Sequence, residues 1–328
     1  MKKRILTGDR TTGKLHLGHY VGSLKSRVAL QHEYDTFILL ADVQALTTHF
    51  DNVALLETSI MDVAKDNLSV GLDPNITTIV QQSQVTSIAE LTVFYSMIVT
   101  VPQLSHNPTI KTEAKNYGYK EMTYGFLGYP VSQTADITFC NADLVPVGED
   151  QRPHLEMARD IVKKFNALYG TSIVEPNIYL SNTSRLAGLD GKAKMGKSMG
   201  NAVYLTDSRE EVERKVKSAV TDTTRVSVKM PGHPDTCPVF GYHKAFATDM
   251  ANTRELCEGA KIGCVACKKH LADVLNDMLD PIRERRAYWD SHESEVKDII
   301  LSGTEKANKI GNENIKNIKE KMHILIKN

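Results

Sequence analysis

His16 and His19 stand three residues apart around Gly18, within Thr7-Gly8-Asp9-Arg10-Thr11-Thr12-Gly13-Lys14-Leu15-His16-Leu17-Gly18-His19. Two imidazoles at that spacing offer directed donors to phosphate oxygens, and a glycine between them lets a flat base approach the backbone. Lys3–Leu6 reads as a short buried strand and the Gly/Thr-rich stretch after it as a turn. Leu17, Tyr20, Val21 and Leu24 then suit a helix. The histidines therefore fall at a helix N-terminus, where unpaired N–H groups and the macrodipole favour an anion. Alone, the string also fits two surface histidines. A second basic site lies far downstream. Lys192-Ala193-Lys194-Met195-Gly196-Lys197-Ser198-Met199-Gly200-Asn201 carries three lysines, a hydroxyl and two glycines. Lysines on such a loop suit charge developing on a leaving polyphosphate, and alone they also fit a solvated basic loop.

A third constellation is sulfur-rich. Cys237-x19-Cys257-x6-Cys264-x2-Cys267 has the ligand count for a four-cysteine zinc site or an iron–sulfur cluster, with Cys140 left outside. Four free thiols fit the same residues.

The elements that must position these groups follow from hydrophobic patterning. Lys3–Leu6, Thr36–Ala41, Thr77–Gln81 and Leu144–Val147 read as strands; Gly18–His32, Asn52–Val70, Ile88–Val101 and Leu155–Leu168 read as helices. That alternation predicts an α/β fold, a doubly wound parallel sheet of Rossmann-like type. After Tyr204 the strand signal fades. Ser208–Ala219, Met250–Glu258, Cys267–Ser291 and Lys306–Ile326 read as helical, and Met230-Pro231-Gly232-His233-Pro234 as a loop. The expected division is a catalytic domain over 1–204 and a smaller all-helical domain over 205–328.

The 328 residues carry 40 basic and 40 acidic side chains, so no global charge announces a nucleic-acid or membrane partner. No apolar run approaches eighteen residues, which argues against a membrane span. Met1-Lys2-Lys3-Arg4 lacks the apolar stretch of a signal peptide, and the first strand begins too early to leave room for a transit sequence. Five cysteines, mostly clustered, fit a reducing cytoplasm better than a disulfide framework. The expected location is cytoplasmic.

Taken together, the H-x-G-H and K-M-x-K-S strings resemble the paired signatures of class I aminoacyl-tRNA synthetases. Val147-Gly148-Glu149-Asp150-Gln151 is similar to a motif of the tryptophanyl and tyrosyl subgroup. Gly128-Tyr129-Pro130-Val131-Ser132-Gln133-Thr134-Ala135-Asp136-Ile137 resembles the amino-acid pocket helix of the tryptophanyl enzymes. Val216-Lys217-Ser218-Ala219-Val220-Thr221-Asp222 and Glu305-Lys306-Ala307-Asn308-Lys309 extend the likeness over nearly the whole chain. Gly196 stands where the usual loop carries serine, and Gln44 where many tryptophan enzymes have histidine. The chain therefore resembles a variant branch.

The resemblance implies a two-step ligase. The carboxylate of L-tryptophan attacks the α-phosphate of ATP, giving tryptophanyl-adenylate and pyrophosphate, and the acyl group then passes to the 3′ end of tRNA. It implies that His16, His19, Lys194, Lys197 and Ser198 act on the phosphates. Gly18 would lie under the adenine, and Met195, Gly148 and Asp150 would complete the ATP site. Arg10 and Lys111 are secondary phosphate candidates that equally fit solvated surface charges. Mg²⁺ would be held chiefly by phosphate oxygens and water. Tyr129, Gln133 and Asp136, spaced i, i+4, i+7, share a helix face. Asp136 would accept the indole N–H, Tyr129 would line the pocket, and Gln133 and Gln151 would meet polar substrate atoms. Phenylalanine would leave the carboxylate buried and unpaired. The resemblance also implies a homodimer and, for the cysteines, a [4Fe–4S] cluster ahead of zinc. Two rivals remain at this point. A small-molecule adenylyltransferase leaves the Lys-Met-Gly-Lys-Ser loop unexplained. A regulatory paralogue has no use for an intact site.

Overall fold

The computed structural model describes residues 2–148, 151–180, 186–191, 195–196 and 199–326. β1 (Arg4–Arg10) leads into α1 (Leu17–His19), a π-type segment Tyr20–Leu24 and α2 (Lys25–Leu30). β2 (Asp35–Ala41), α3 (Asp42–His49), α4 (Val53–Ser69) and β3 (Thr77–Gln81) follow. Next come α5 (Thr86–Ser96), α6 (Val101–His106), α7 (Pro108–Asn116) and α8 (Tyr124–Thr138), then β4 (Leu144–Val147), α9 (Arg152–Tyr169) and β5 (Asn177–Leu180). The remainder is helical: α10 (Arg209–Ser218), α11 (Pro238–Phe246), α12 (Met250–Glu258), α13 (Cys264–Ser291) and α14 (Glu293–Lys321).

Among the described residues five strands form one parallel sheet, in the order β3-β2-β1-β4-β5. This is the doubly wound, Rossmann-like architecture that the alternation predicts. The order reverses between β1 and β4, and in such sheets ligands bind beyond the carboxyl ends of the strands at that switch point. The β1–β4 ladder is confined to Ile5↔Leu144. The segment Thr7–Arg10, expected as a turn, is instead strand. Seven register pairs, from Arg4↔Asp35 to Arg10↔Ala41, carry β1 to Arg10. Pairing with the buried β2 outweighs the local turn preference of Gly8.

β2 reads Asp-Thr-Phe-Ile-Leu-Leu-Ala and is buried on both faces, as central parallel strands are. Alternation sends Phe37 and Leu39 to one core, shared with α5, α8 and α9. Ile38 and Leu40 go to the other, with Leu15, Leu17, Met195, Val203 and Leu271 of α13. α14 returns to the sheet. Ala307, Ile315 and Ile318 join the first core, and the outward N–H of Gln81 on edge strand β3 donates to Thr304 Oγ1 at 3.0 Å. That bond occupies an edge group otherwise open to pairing. Among the described residues no helix is long and apolar enough to cross a membrane.

Candidate active site

β1 delivers Asp9 and Arg10 to the switch point, and the chain then turns into the H-x-G-H segment. His16 is the N-cap of α1. The Gly18 N–H donates to His16 Nδ1 at 3.1 Å, and the His16 N–H donates to His19 Nδ1 at 3.2 Å. A backbone N–H can only donate, so in each neutral ring the proton sits on Nε2. The rings lie 3.9 Å apart, tilted by 49°. Both histidines are thus prepared as Nε2–H donors, the form that serves a phosphate oxygen. A Cβ on Gly18 would fall 2.9 Å from the His16 ring and 3.6 Å from Met195 Cβ. Any larger residue there would push the imidazole out of this arrangement.

That contact also joins the two distant signatures. Leu17 N–H donates to Val203 O at 2.9 Å, and Leu205 N–H to Leu15 O at 3.0 Å. His16 and Tyr204 form an antiparallel bridge between these bonds. The chain leaving the Lys-Met-Gly-Lys-Ser loop is therefore stitched to the chain entering H-x-G-H. Met195 is buried, and Gly196 N–H donates to Asn201 Oδ1 at 3.0 Å. Lys194, Lys197, Ser198 and Asp150 lie outside the described residues.

Beneath the histidines, Arg27 reaches Asp9 through two hydrogen bonds, 2.5 Å and 3.0 Å, and Asn67 adds a third at 3.1 Å. Burial would push the Asp9 carboxyl up. The Arg27 charge and hydrogen bonds overcome this, with His19 contributing, and hold it well below the usual carboxylate range. A further carboxylate, Asp66, accepts the Leu15 N–H at 2.7 Å and pairs with Arg286 of α13 at 2.5 Å.

The other side of the crevice is α8. Thr123 caps it, and Pro130 lies inside it. Tyr129 and Asp136 are buried, whereas Gln133 is half-buried. The Tyr129 hydroxyl meets His154 Nε2 at 2.8 Å. Burial, with Glu113 nearby, raises its pKa far above the ordinary value, so it is a neutral hydroxyl. Asp136 Oδ1 accepts Gln82 Nε2–H at 2.7 Å. Burial pushes its carboxyl up to about 7; the Gln82 hydrogen bond opposes the rise and the Asp42 charge adds to it. Gly148 follows β4 and Gln151 leads into α9, with Gln151 N–H donating to Gly148 O at 3.0 Å. Arg10 and Lys111 are exposed, at the end of β1 and on α7. Gln82, Asp66, Arg27 and His154 escape a motif-based reading. For Gln82 the available signal was a polar residue directly after a parallel strand.

The model for tRNA synthetases class I (W and Y) matches residues 1–280. The chain belongs to this family. The tryptophan–tRNA ligase of Streptococcus mutans is 46% identical over 335 residues, covering 98% of each chain. That of Streptococcus pneumoniae serotype 4 is 44% identical over 333 residues, again covering 98% of each. Among solved structures, tryptophanyl-tRNA synthetase from Campylobacter jejuni, complexed with ADP and tryptophan, superposes with a TM-score of 0.85 at 29% identity, covering 98% of this chain and 99% of that one. The Mycoplasma pneumoniae enzyme gives 0.84 at 25% identity, covering 98% of each.

The expected metal ligands of this class I synthetase, Cys237, Cys257, Cys264 and Cys267, lie in its helical half. Among the described residues no three His, Cys, Asp or Glu side chains gather closely enough to hold a metal ion. The four thiols are free and share a neighbourhood at the junction of α11, α12 and α13. The Cys267 thiol is pushed up to about 12, first by burial and then by Cys237, Cys257 and Cys264. Its Sγ lies 3.3 Å from His243 Nε2.

Proposed function

We infer that the chain is a tryptophan–tRNA ligase. It activates L-tryptophan with ATP, releasing pyrophosphate, and transfers the acyl group to the 3′ end of tRNA. The observation that carries the choice of amino acid is Asp136, a buried carboxylate whose Oδ1 is occupied by Gln82. Its Oδ2 takes no hydrogen bond from the described residues, which leaves an acceptor for an indole N–H. A side chain without that donor strands the carboxylate in an apolar setting, a penalty on which selective sites depend.

In the first step the chain needs no nucleophile of its own, because the substrate carboxylate attacks the α-phosphate. Its task is to position the reactants and to neutralise charge. The Nε2–H groups of His16 and His19 bind phosphate oxygens beside Gly18. Lys194, Lys197 and Ser198 take the charge on the departing pyrophosphate. Arg10, Lys111, Gly148, Asp150 and Met195 complete the ATP site. Tyr129, Gln133 and Gln151 surround the amino acid. Mg²⁺ would supply further charge neutralisation and would be held chiefly by phosphate oxygens and water. Residues 1–204 form the catalytic unit in this reading, and 205–328 the unit that meets tRNA.

Two further parts of the proposal have their own checks. Val93, Met97, Val101 and Tyr124 are exposed apolar side chains on neighbouring elements, and they support a homodimer. Sedimentation equilibrium showing a monomer at micromolar concentration contradicts it. For Cys237, Cys257, Cys264 and Cys267 we propose a [4Fe–4S] cluster, with zinc second; four soft thiols that act on one another's charge support it, and binding would draw them closer together than they stand in the structure. Metal-free active protein after anaerobic purification contradicts that. A cytoplasmic location accords with the free cysteines. The reaction itself is tested by charging tRNA with labelled tryptophan. Charging with tryptophan and not tyrosine is expected, and the reverse overturns the reading.

A further inference from the structure

Gln82 is the first residue after β3 and is buried. Its carboxamide has only one orientation available. Oε1 accepts the backbone N–H of Gln44 at 3.0 Å, and that group can only donate. The Gln44 N–H is one of the orphan amides of the first turn of α3, so this bond also satisfies a helix end. Nε2 must then face the other way, where it donates to Asp136 Oδ1 at 2.7 Å. The backbone that carries Gln82 is itself fixed. Asp42 Oδ1 accepts the N–H groups of Val43 and Ser83, each at 2.9 Å. Its Oδ2 accepts Gln81 Nε2–H at 2.9 Å and Ser83 Oγ–H at 2.5 Å. On the opposite side Ser132 Oγ–H donates to Gln44 Oε1 at 3.0 Å. A continuous chain of hydrogen bonds thus runs from the start of α3 through Gln82 to α8.

We propose that Gln82 is the positioning residue for indole recognition: it holds Asp136 Oδ1 and so commits Oδ2 to the substrate N–H. The proposal rests on the reading that Asp136 accepts this N–H. A carboxyl with two free oxygens can rotate, or carry a proton on either one, and a protonated oxygen repels the indole N–H. With Oδ1 held by a donor, the ionised carboxylate cannot turn, and the acceptor that remains is single and fixed. Asp136 would touch the substrate, whereas Gln82 would act only through it.

The test compares tryptophan with its analogue in which sulfur replaces the indole N–H, 3-benzothienylalanine. Each is assayed by pyrophosphate exchange in wild type, Gln82→Met, Gln82→Glu and Asp136→Asn. Gln82→Glu keeps the volume and the acceptor for Gln44 N–H, so it decides the matter if Gln82→Met does not fold. The expected result is that the preference for tryptophan, as a ratio of kcat/KM values, drops about tenfold to a hundredfold in the Gln82 variants. That range corresponds to one charge-assisted hydrogen bond. The KM for ATP stays near wild type. A merely structural role would lower activity with both amino acids alike and leave the ratio unchanged, and this outcome overturns the proposal. If Asp136→Asn also retains the wild-type ratio, the indole reading itself fails. If only Asp136→Asn loses it, the reading stands and the role of Gln82 falls.

Discussion

At His16 and His19 the backbone sets the tautomer. Each Nδ1 takes a main-chain N–H, which leaves both Nε2–H groups as donors. Replacing His19 by Ala removes one such donor and also the acceptor that holds the His16 N–H. The expected cost is about a hundredfold or more in kcat/KM for ATP, the scale seen when a preorganised donor to developing charge is lost. The KM for tryptophan should change little, and steady-state pyrophosphate exchange reads both. Asp136 brings a pH dependence. Its ionised form is the proposed indole acceptor, and its carboxyl is raised from 3.8 to about 7, by burial above all. Thus kcat/KM for tryptophan should climb with pH through a limb near 7, and Asp136→Asn should abolish that limb. The stability consequence has the opposite sign. Between the two values the fold holds a proton that the unfolded chain has released. The contribution is complete below pH 3.8 and is lost as pH rises through about 7. Denaturation midpoints of wild type, measured against Asp136→Asn, report it.

The elements show which parts of the fold were legible. Thr77–Gln81 and Leu144–Val147 stand where their apolar runs put them, because a parallel strand buried on both faces writes an unbroken apolar signal. β5 left no such signal: Asn177-Ile178-Tyr179-Leu180 is an edge strand with alternating exposure. The short helices α3, α6 and α7 hold too few turns to show a period. α14 begins at Glu293, well before the expected Lys306, because the polar run Glu293, Ser294, Glu295, Lys297 and Asp298 masks the apolar period of its early turns. In the candidate site, H-x-G-H and Asp136 were legible because their residue types suit the proposed chemistry. Gln82 and Asp66 were not, since their roles depend on what the fold sets opposite them. α14 also shows how tightly an element can be seated. A Cβ on Gly303 would fall 2.1 Å from Ile79 O, a backbone atom of β3 that cannot move aside alone. Gly303→Ala should therefore cost about 1–3 kcal/mol or more in chemical denaturation, as overpacking does. An unchanged midpoint would show that α14 lifts off the strand freely.

At the scale of the whole molecule, the helical half is tied to the H-x-G-H segment by a buried path. Arg286 of α13 pairs with Asp66 of α4 at 2.5 Å, and Asp66 accepts the N–H of Leu15, next to His16. Arg286 also meets Asp62, and Asp290 at 3.0 Å. Removing one partner leaves the other charged and buried, so Arg286→Met should destabilise the fold by about 3–5 kcal/mol. Asp66→Asn should relieve part of that loss in the double variant, and the KM for ATP should rise in each single variant. A double-mutant cycle without coupling would sever the proposed link.

Whether this crevice activates tryptophan with ATP is decided by pyrophosphate exchange with each of the twenty amino acids. Exchange should depend on tryptophan and collapse in Asp136→Asn. Exchange with tyrosine alone, or none with tryptophan, would contradict this reading.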